Sequence, residues 1–161
     1  MHNFLITLLL SIFSFTGSAW AGTQQRFTPD SNVQQMAEAY AQLAVTHAKA
    51  EAGIILDWSD SSIESVEKTL VLIHASFIST KPTLTEEDAM PLAKVFGSYI
   101  GEVYRRNHGG TWGIVSIGGQ EFPGVQTNSG VQFWPWGRTL NRIMHGSESN
   151  VLDYYRALLE K

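Results

Sequence analysis

The chain has 161 residues, 43% of them hydrophobic, no cysteine, and 11 Lys+Arg against 15 Asp+Glu for a net charge of −4. That balance argues against a nucleic-acid partner, and the lack of cysteine excludes a disulfide scaffold, Cys-ligated zinc and thiol catalysis together. The charge is polarised: residues 22–104 carry 5 basic and 11 acidic side chains and residues 105–161 carry 6 and 4, which either orients a charged partner or is ordinary scatter.

Met1 to Ala21 reads as a secretory signal peptide. An almost wholly apolar run from Phe4 to Phe15 leads through Gly17 and Ser18 to Ala19-Trp20-Ala21, the small-x-small pattern of a cleavage site. The run is too short to span a bilayer. Cleavage after Ala21 is expected, with the product in the periplasm of a Gram-negative cell. Removing 21 of 161 residues leaves 140, the size of one domain with one core.

Gly22 to Asp30 is polar and is expected to be a loose lead-in, with Pro29-Asp30-Ser31 as a turn and helix N-cap. Val33, Met36, Ala37, Tyr40, Leu43, Ala44, His47 and Ala48 then recur at helical spacing, which places them on one face of a first helix that Gly53 interrupts. Ile54-Ile55-Leu56 either extends the helix or pairs as a strand, and a strand or extended link is favoured. Asp57-Trp58-Ser59-Asp60 offers caps for a second helix, whose apolar face is Ile63, Val66, Leu70, Ile73 and Phe77 and which ends near Lys81-Pro82.

In the third helix Thr85 precedes three acids, and Pro91 is tolerable in a first turn, so the regular helix is expected from about Asp88. Ala93, Gly97 and Gly101 make a stripe of small residues. Each helical glycine costs about 1 kcal/mol against alanine, so the stripe predicts close approach of another element. Lys94, Glu102 and the two following arginines rule out a membrane dimer through this pattern.

Asn107-His108-Gly109-Gly110 ends the helix, with a left-handed cap expected at one of the glycines. Strands are predicted over Thr111–Ile117, Glu121–Thr127, with Pro123-Gly124 suiting an edge or bulge, and Val131–Trp134. Leu140, Ile143 and Met144 mark a short helix stopped by Gly146, and Ser149 caps a last one carrying Val151, Leu152, Tyr155, Leu158 and Leu159. The fold class is therefore α+β: three N-terminal helices, a small antiparallel three-stranded meander and two C-terminal helices.

The familiar catalytic motifs do not occur: there is no Gly-x-Ser-x-Gly, His-Glu-x-x-His, phosphate loop or calcium loop. His47, His74, His108 and His145 are scattered, and zinc needs three or four converging ligands; no metal, cofactor or catalytic residue is assigned. Glu102 and Glu121 are the candidate acids for glycan cleavage in one cleft, although Glu102 also has Arg105 and Arg106 at ion-pair spacing.

The segment that stands out is Gly101 to Gly113, followed by further tryptophans. Glu102, Arg105, Arg106, Asn107, His108, Trp112, Trp134, Trp136 and Arg138 are the candidate partner-binding residues, because Trp and Arg are the residues most enriched at binding hot spots. The tryptophans are either a buried cluster of the meander or a partly exposed platform.

The run Phe96-Gly97-Ser98-Tyr99-Ile100-Gly101-Glu102-Val103, continued by Arg105-Arg106-Asn107-His108-Gly109-Gly110-Thr111-Trp112-Gly113, resembles the central block of a group of short uncharacterised bacterial proteins. Leu56-Asp57-Trp58-Ser59 and Pro135-Trp136-Gly137-Arg138 are similar to its flanking motifs. Some members look like immunity factors, which implies a protein partner but carries over no active-site residue. Three functions are thus expected in order: an exported immunity or inhibitor protein binding a toxin or wall-degrading effector, a peptidoglycan- or carbohydrate-active enzyme using Glu102, and a module holding a small anionic ligand on Arg105 and Arg106.

Overall fold

The structure, a computed structural model, describes residues 25–81 and 83–161; the signal segment Met1–Ala21 lies outside them. Its elements in chain order are β1 (Arg26–Pro29), α1 (Ser31–Ala52), α2 (Ser62–Thr80), α3 (Glu86–His108), β2 (Thr111–Ile117), β3 (Gln120–Gln126), β4 (Gln132–Phe133), α4 (Pro135–His145), a 3-10 turn (Gly146–Ser149) and α5 (Val151–Leu159). The class is α+β as expected, with five α-helices, but the antiparallel sheet has four strands in the order β1-β2-β3-β4 rather than three. The supposed loose lead-in supplies the fourth: Arg26 to Pro29 pairs with Ser116 to Gly113. Gly113 makes room for it, since a Cβ there would lie within 3 Å of the Thr28 carbonyl and the Phe27 ring.

Asp30 caps α1 by accepting from the backbone N–H groups of Asn32 and Val33. Gly53 ends it with φ +64°, its N–H donating to the Lys49 carbonyl and that of Ile54 to the Ala48 carbonyl. Residues 54–56 form the extended link and no strand. The buried face of α1 differs from the expected one. Val33, Ala37, Ala41, Ala44 and Ala48 are buried, whereas Met36 and Leu43 are exposed. Alanines let the α1 backbone approach α3 closely, and the large apolar residues beside them are turned outward.

Thr85 and Asp88 form a capping box, so α3 begins at Glu86, two residues before the expected start, and Pro91 falls in the second turn. The ring leaves the Glu87 carbonyl without its usual N–H, and both residues are exposed, where water serves as donor. The small stripe is buried as predicted. A Cβ on Gly97 would lie 2.7 Å from the Pro135 carbonyl oxygen, and one on Gly101 would lie 2.3 Å from the Trp112 ring. Gly101→Leu is therefore expected to destabilise by about 3 kcal/mol or more through overpacking; a thermal melt superimposable on wild type would show that Trp112 yields freely.

Gly109 and Gly110 close α3 with φ of +81° and +128°, but ψ of 175° takes Gly109 out of the left-handed helical well into a positive-φ region that essentially only glycine adopts. Gly118-Gly119 joins β2 to β3, whose ladder runs without a bulge past Pro123. That stretch of β3 lies beyond the short β4, so the proline sits on an edge. Asn150, not Ser149, caps α5 by accepting from Asp153 N–H. Among the largest buried aromatics, Phe96 of α3 packs on His47 of α1, Tyr99 on Trp58 and Trp112 on Trp136, while Phe133 and Tyr155 both pack on Tyr104 of α3.

Candidate functional site at the carboxyl end of α3

The last two turns of α3 present Glu102, Arg105, Arg106, Asn107 and His108 in succession. Glu102 is fully buried, and four hydrogen bonds converge on its carboxylate: Arg105 Nε at 2.8 Å and Nη2 at 2.9 Å, Arg106 Nε at 3.2 Å, and Trp112 Nε1 at 2.9 Å. Burial pushes the Glu102 carboxyl up, but the bonds from Arg105 and Trp112 outweigh it and hold the group below the usual carboxylate range. Arg105 reaches on to Glu38 of α1 at 3.1 Å.

Arg106 keeps only its Nε in this network. Its guanidinium lies 3.7 Å above the centre of the Trp58 ring, and its side chain is 38% exposed. Trp58 is the only non-glycine residue with positive φ (+68°) among the described residues, a conformation costly for a bulky side chain. Its N–H donates to Tyr99 Oη at 2.8 Å, its carbonyl accepts from Asn107 Nδ2 at 3.0 Å, and its ring lies 4.8 Å from that of Tyr99.

Asp60 completes the anchorage. It accepts from Asn107 Nδ2 at 3.0 Å and Tyr155 Oη at 2.6 Å, and its other oxygen lies 2.9 Å from His108 Nε2. Partial burial pushes the Asp60 carboxyl up and the hydrogen bonds from Tyr155, Asn107 and His108 bring it below its ordinary value. Burial, followed by the bond to Asp60, raises the Tyr155 hydroxyl. In the sequence the 57–60 segment offers helix caps and part of a flanking motif, with no sign of a tie to α3 or α5. Ser59 does accept from Ser62 N–H, but Trp58 and Asp60 fasten the start of α2 to the end of α3 and to α5.

The expected candidate set thus divides. Arg106, Asn107 and His108 share one exposed surface, to which Trp58 and Asp60 belong. Arg105 is half-buried beside it. Glu102, Trp112 and Trp136 are core residues, which corrects their placement among contact residues: the two indoles lie 6.1 Å apart, and Trp136 Nε1 donates to Ser98 at 2.7 Å. Trp134 and Arg138 are half-buried against α5, the first through its backbone N–H to Tyr154 Oη and the second through Nη2 to the Asn150 carbonyl. They share no hydrogen-bond partner with Arg106.

Glu102 and Glu121 do not face a common cleft. Glu102 is sealed behind Trp112, and Glu121 is exposed opposite Ser116, four ladder positions from Trp112, or about 13 Å along the strand. Among the described residues no three His, Cys, Asp or Glu side chains converge as metal ligands, and no helix is long and apolar enough to cross a membrane.

No family model matches the chain, and no curated protein matches it by sequence. A solved structure from Bacteroides thetaiotaomicron VPI-5482 is similar at a TM-score of 0.61 and 11% identity, over 86% of this chain and 48% of that one. This chain therefore spans about half the length of that protein, and the likeness is one of fold alone.

Proposed function

We propose that this protein is an exported binding protein, most concretely an immunity or inhibitor protein that neutralises a secreted antibacterial toxin or wall-degrading effector through the surface around Arg106. One observation carries the reading: the Arg106 guanidinium is stacked on Trp58 and held from behind by a buried carboxylate. A partner meeting this pair finds its arginine and tryptophan already ordered, so little side-chain entropy is lost on binding. The signal-like amino terminus supports the same reading, as does the resemblance of residues 96–113 to a group of short uncharacterised bacterial proteins of which some look like immunity factors.

The purified protein is expected to form a stoichiometric complex with a secreted effector encoded beside it. Arg106→Ala should weaken that complex by about 2 kcal/mol or more, roughly thirtyfold, while the protein stays folded with a modestly lowered melting temperature, since Glu102 keeps its bonds from Arg105 and Trp112. Release of product from peptidoglycan fragments by the wild-type protein would instead make it an enzyme. A second reading, a small anionic ligand, draws on the Arg106 Nη atoms, which make no hydrogen bond among the described residues; inorganic phosphate or acetate competing with the effector at millimolar concentration would favour it.

A further inference from the structure

The way Arg106 is held dictates what can reach it. Its Nε donates to Glu102 Oε2 at 3.2 Å, whereas Arg105 gives the same carboxylate both its Nε and its Nη2 and also bonds Glu38. Of the two cations, Arg106 is therefore the less compensated. The Trp58 ring, 3.7 Å from the guanidinium, covers one of its faces. What remains is the end-on fork of Nη1 and Nη2, which makes no hydrogen bond among the described residues. A group that uses this fork must approach in the guanidinium plane and accept two parallel N–H bonds, the geometry of a carboxylate or a phosphate.

The surroundings favour the single charge of a carboxylate. The fork lies at the carboxyl end of α3, the negative end of the helix dipole, and Asp57 and Asp60 flank Trp58 in the chain, so a phosphate dianion meets more repulsion than a monoanion. Beside the fork, Asn107 spends its Nδ2 on the Trp58 carbonyl and on Asp60, which leaves its exposed Oδ1 without a donor among the described residues. A donor pair and an acceptor thus stand next to each other on one surface, matching a side-chain carboxylate with a backbone N–H beside it. We propose that the Arg106 fork docks the carboxylate of an aspartate or glutamate of the partner protein, with a neighbouring backbone N–H of that protein donating to Asn107 Oδ1. This rests on the proposed function for the existence of the partner and names the chemistry that holds it.

Free acetate and end-capped Gly-Glu-Gly, Gly-Gln-Gly and Gly-phosphoserine-Gly peptides test this on the purified protein. The readout is the side-chain N–H resonances of Arg106 and the indole N–H resonance of Trp58 in heteronuclear NMR. The glutamate peptide is expected to shift these resonances saturably at millimolar concentration, at least threefold more tightly than acetate or the phosphoserine peptide, and the glutamine peptide to leave them unmoved. Arg106→Lys keeps the charge and loses the coplanar fork, so by the Trp58 resonance it should bind the glutamate peptide at least threefold more weakly than wild type. In the effector complex, changing one aspartate or glutamate of the effector to its amide should lose as much affinity as Arg106→Ala, and the double variant should lose no more than either alone. No shift by the glutamate peptide, equal binding of the glutamine peptide, acetate or the phosphoserine peptide binding as tightly, or additivity with Arg106→Ala at every acid of the effector would overturn the proposal. Absence of any effector complex would count against the proposed function and leave the peptide result standing, so the two failures are distinguishable.

Discussion

Arg142→Ala is expected to destabilise the protein by about 3–5 kcal/mol, lowering the melting temperature by on the order of 10 °C. Arg142 of α4 and Glu67 of α2 form a buried ion pair at 2.7 Å, and the second Glu67 oxygen accepts from Val151 N–H at 2.9 Å at the start of α5. One carboxylate thereby joins three helices. Truncating the arginine leaves that carboxylate buried with a single backbone donor and opens a cavity beside it. The pair itself is imperfect, because Arg142 Nη1 is buried with no hydrogen-bond partner among the described residues. The double variant Glu67→Leu, Arg142→Met is therefore expected to recover most of that loss, falling short of wild type by about 1–3 kcal/mol because the buried Val151 N–H keeps no acceptor. Chemical denaturation of the three proteins checks this; a single variant as stable as wild type would show that the Glu67 carboxylate finds water.

Glu102→Ala is expected to cost about 2–4 kcal/mol and to loosen the Arg106 surface. The loss is chiefly the buried Trp112 N–H left without an acceptor. Arg105 and Arg106 are 24% and 38% exposed and regain water, which limits the penalty of the unpaired cations. Glu102→Gln keeps an acceptor for Trp112 and isolates the charge. Because the folded carboxyl lies below its ordinary value of 4.5, the unfolded chain binds the proton more readily. Its stabilisation is complete above about pH 4.5 and falls away as pH drops through the lower folded value. Asp60 and Asp88, held down by Tyr155 and Lys81 among others, add to the same acid loss. The measurement is accordingly the difference between wild type and Glu102→Gln: their stability gap should narrow below pH 4.5, and a gap independent of pH would place the Glu102 proton elsewhere.

The helices and the hairpin were legible because their signals are local. Apolar spacing marks α2, Asp30 and Gly53 bracket α1, and the predicted strands from Thr111 and Glu121 pair as β2 and β3. Likewise the small stripe announced a close approach, because glycine inside a helix is costly unless something fills its missing side chain. The identity of that neighbour, Trp112 and Pro135, lay beyond local reasoning.

What tertiary structure alone decided is which of two competing surfaces faces inward and what distant chain is brought alongside. Periodicity put Met36 and Leu43 with Ala37 and Ala44 on one broad face of α1; packing against α3 chose the alanines, since small side chains permit the closer approach. β1 escaped notice because four residues with an arginine and a proline carry no alternating signal, and they become a strand only beside β2, more than eighty residues away. The site followed the same logic. The arginines, asparagine and histidine at the end of α3 stood out as a cluster of donors, but Trp58, Asp60 and Tyr155 join them only across long separations. Burial then divided the tryptophans between core and half-exposed positions: Trp112 and Trp136 sit in the core, where their indole N–H groups find acceptors at Glu102 and Ser98.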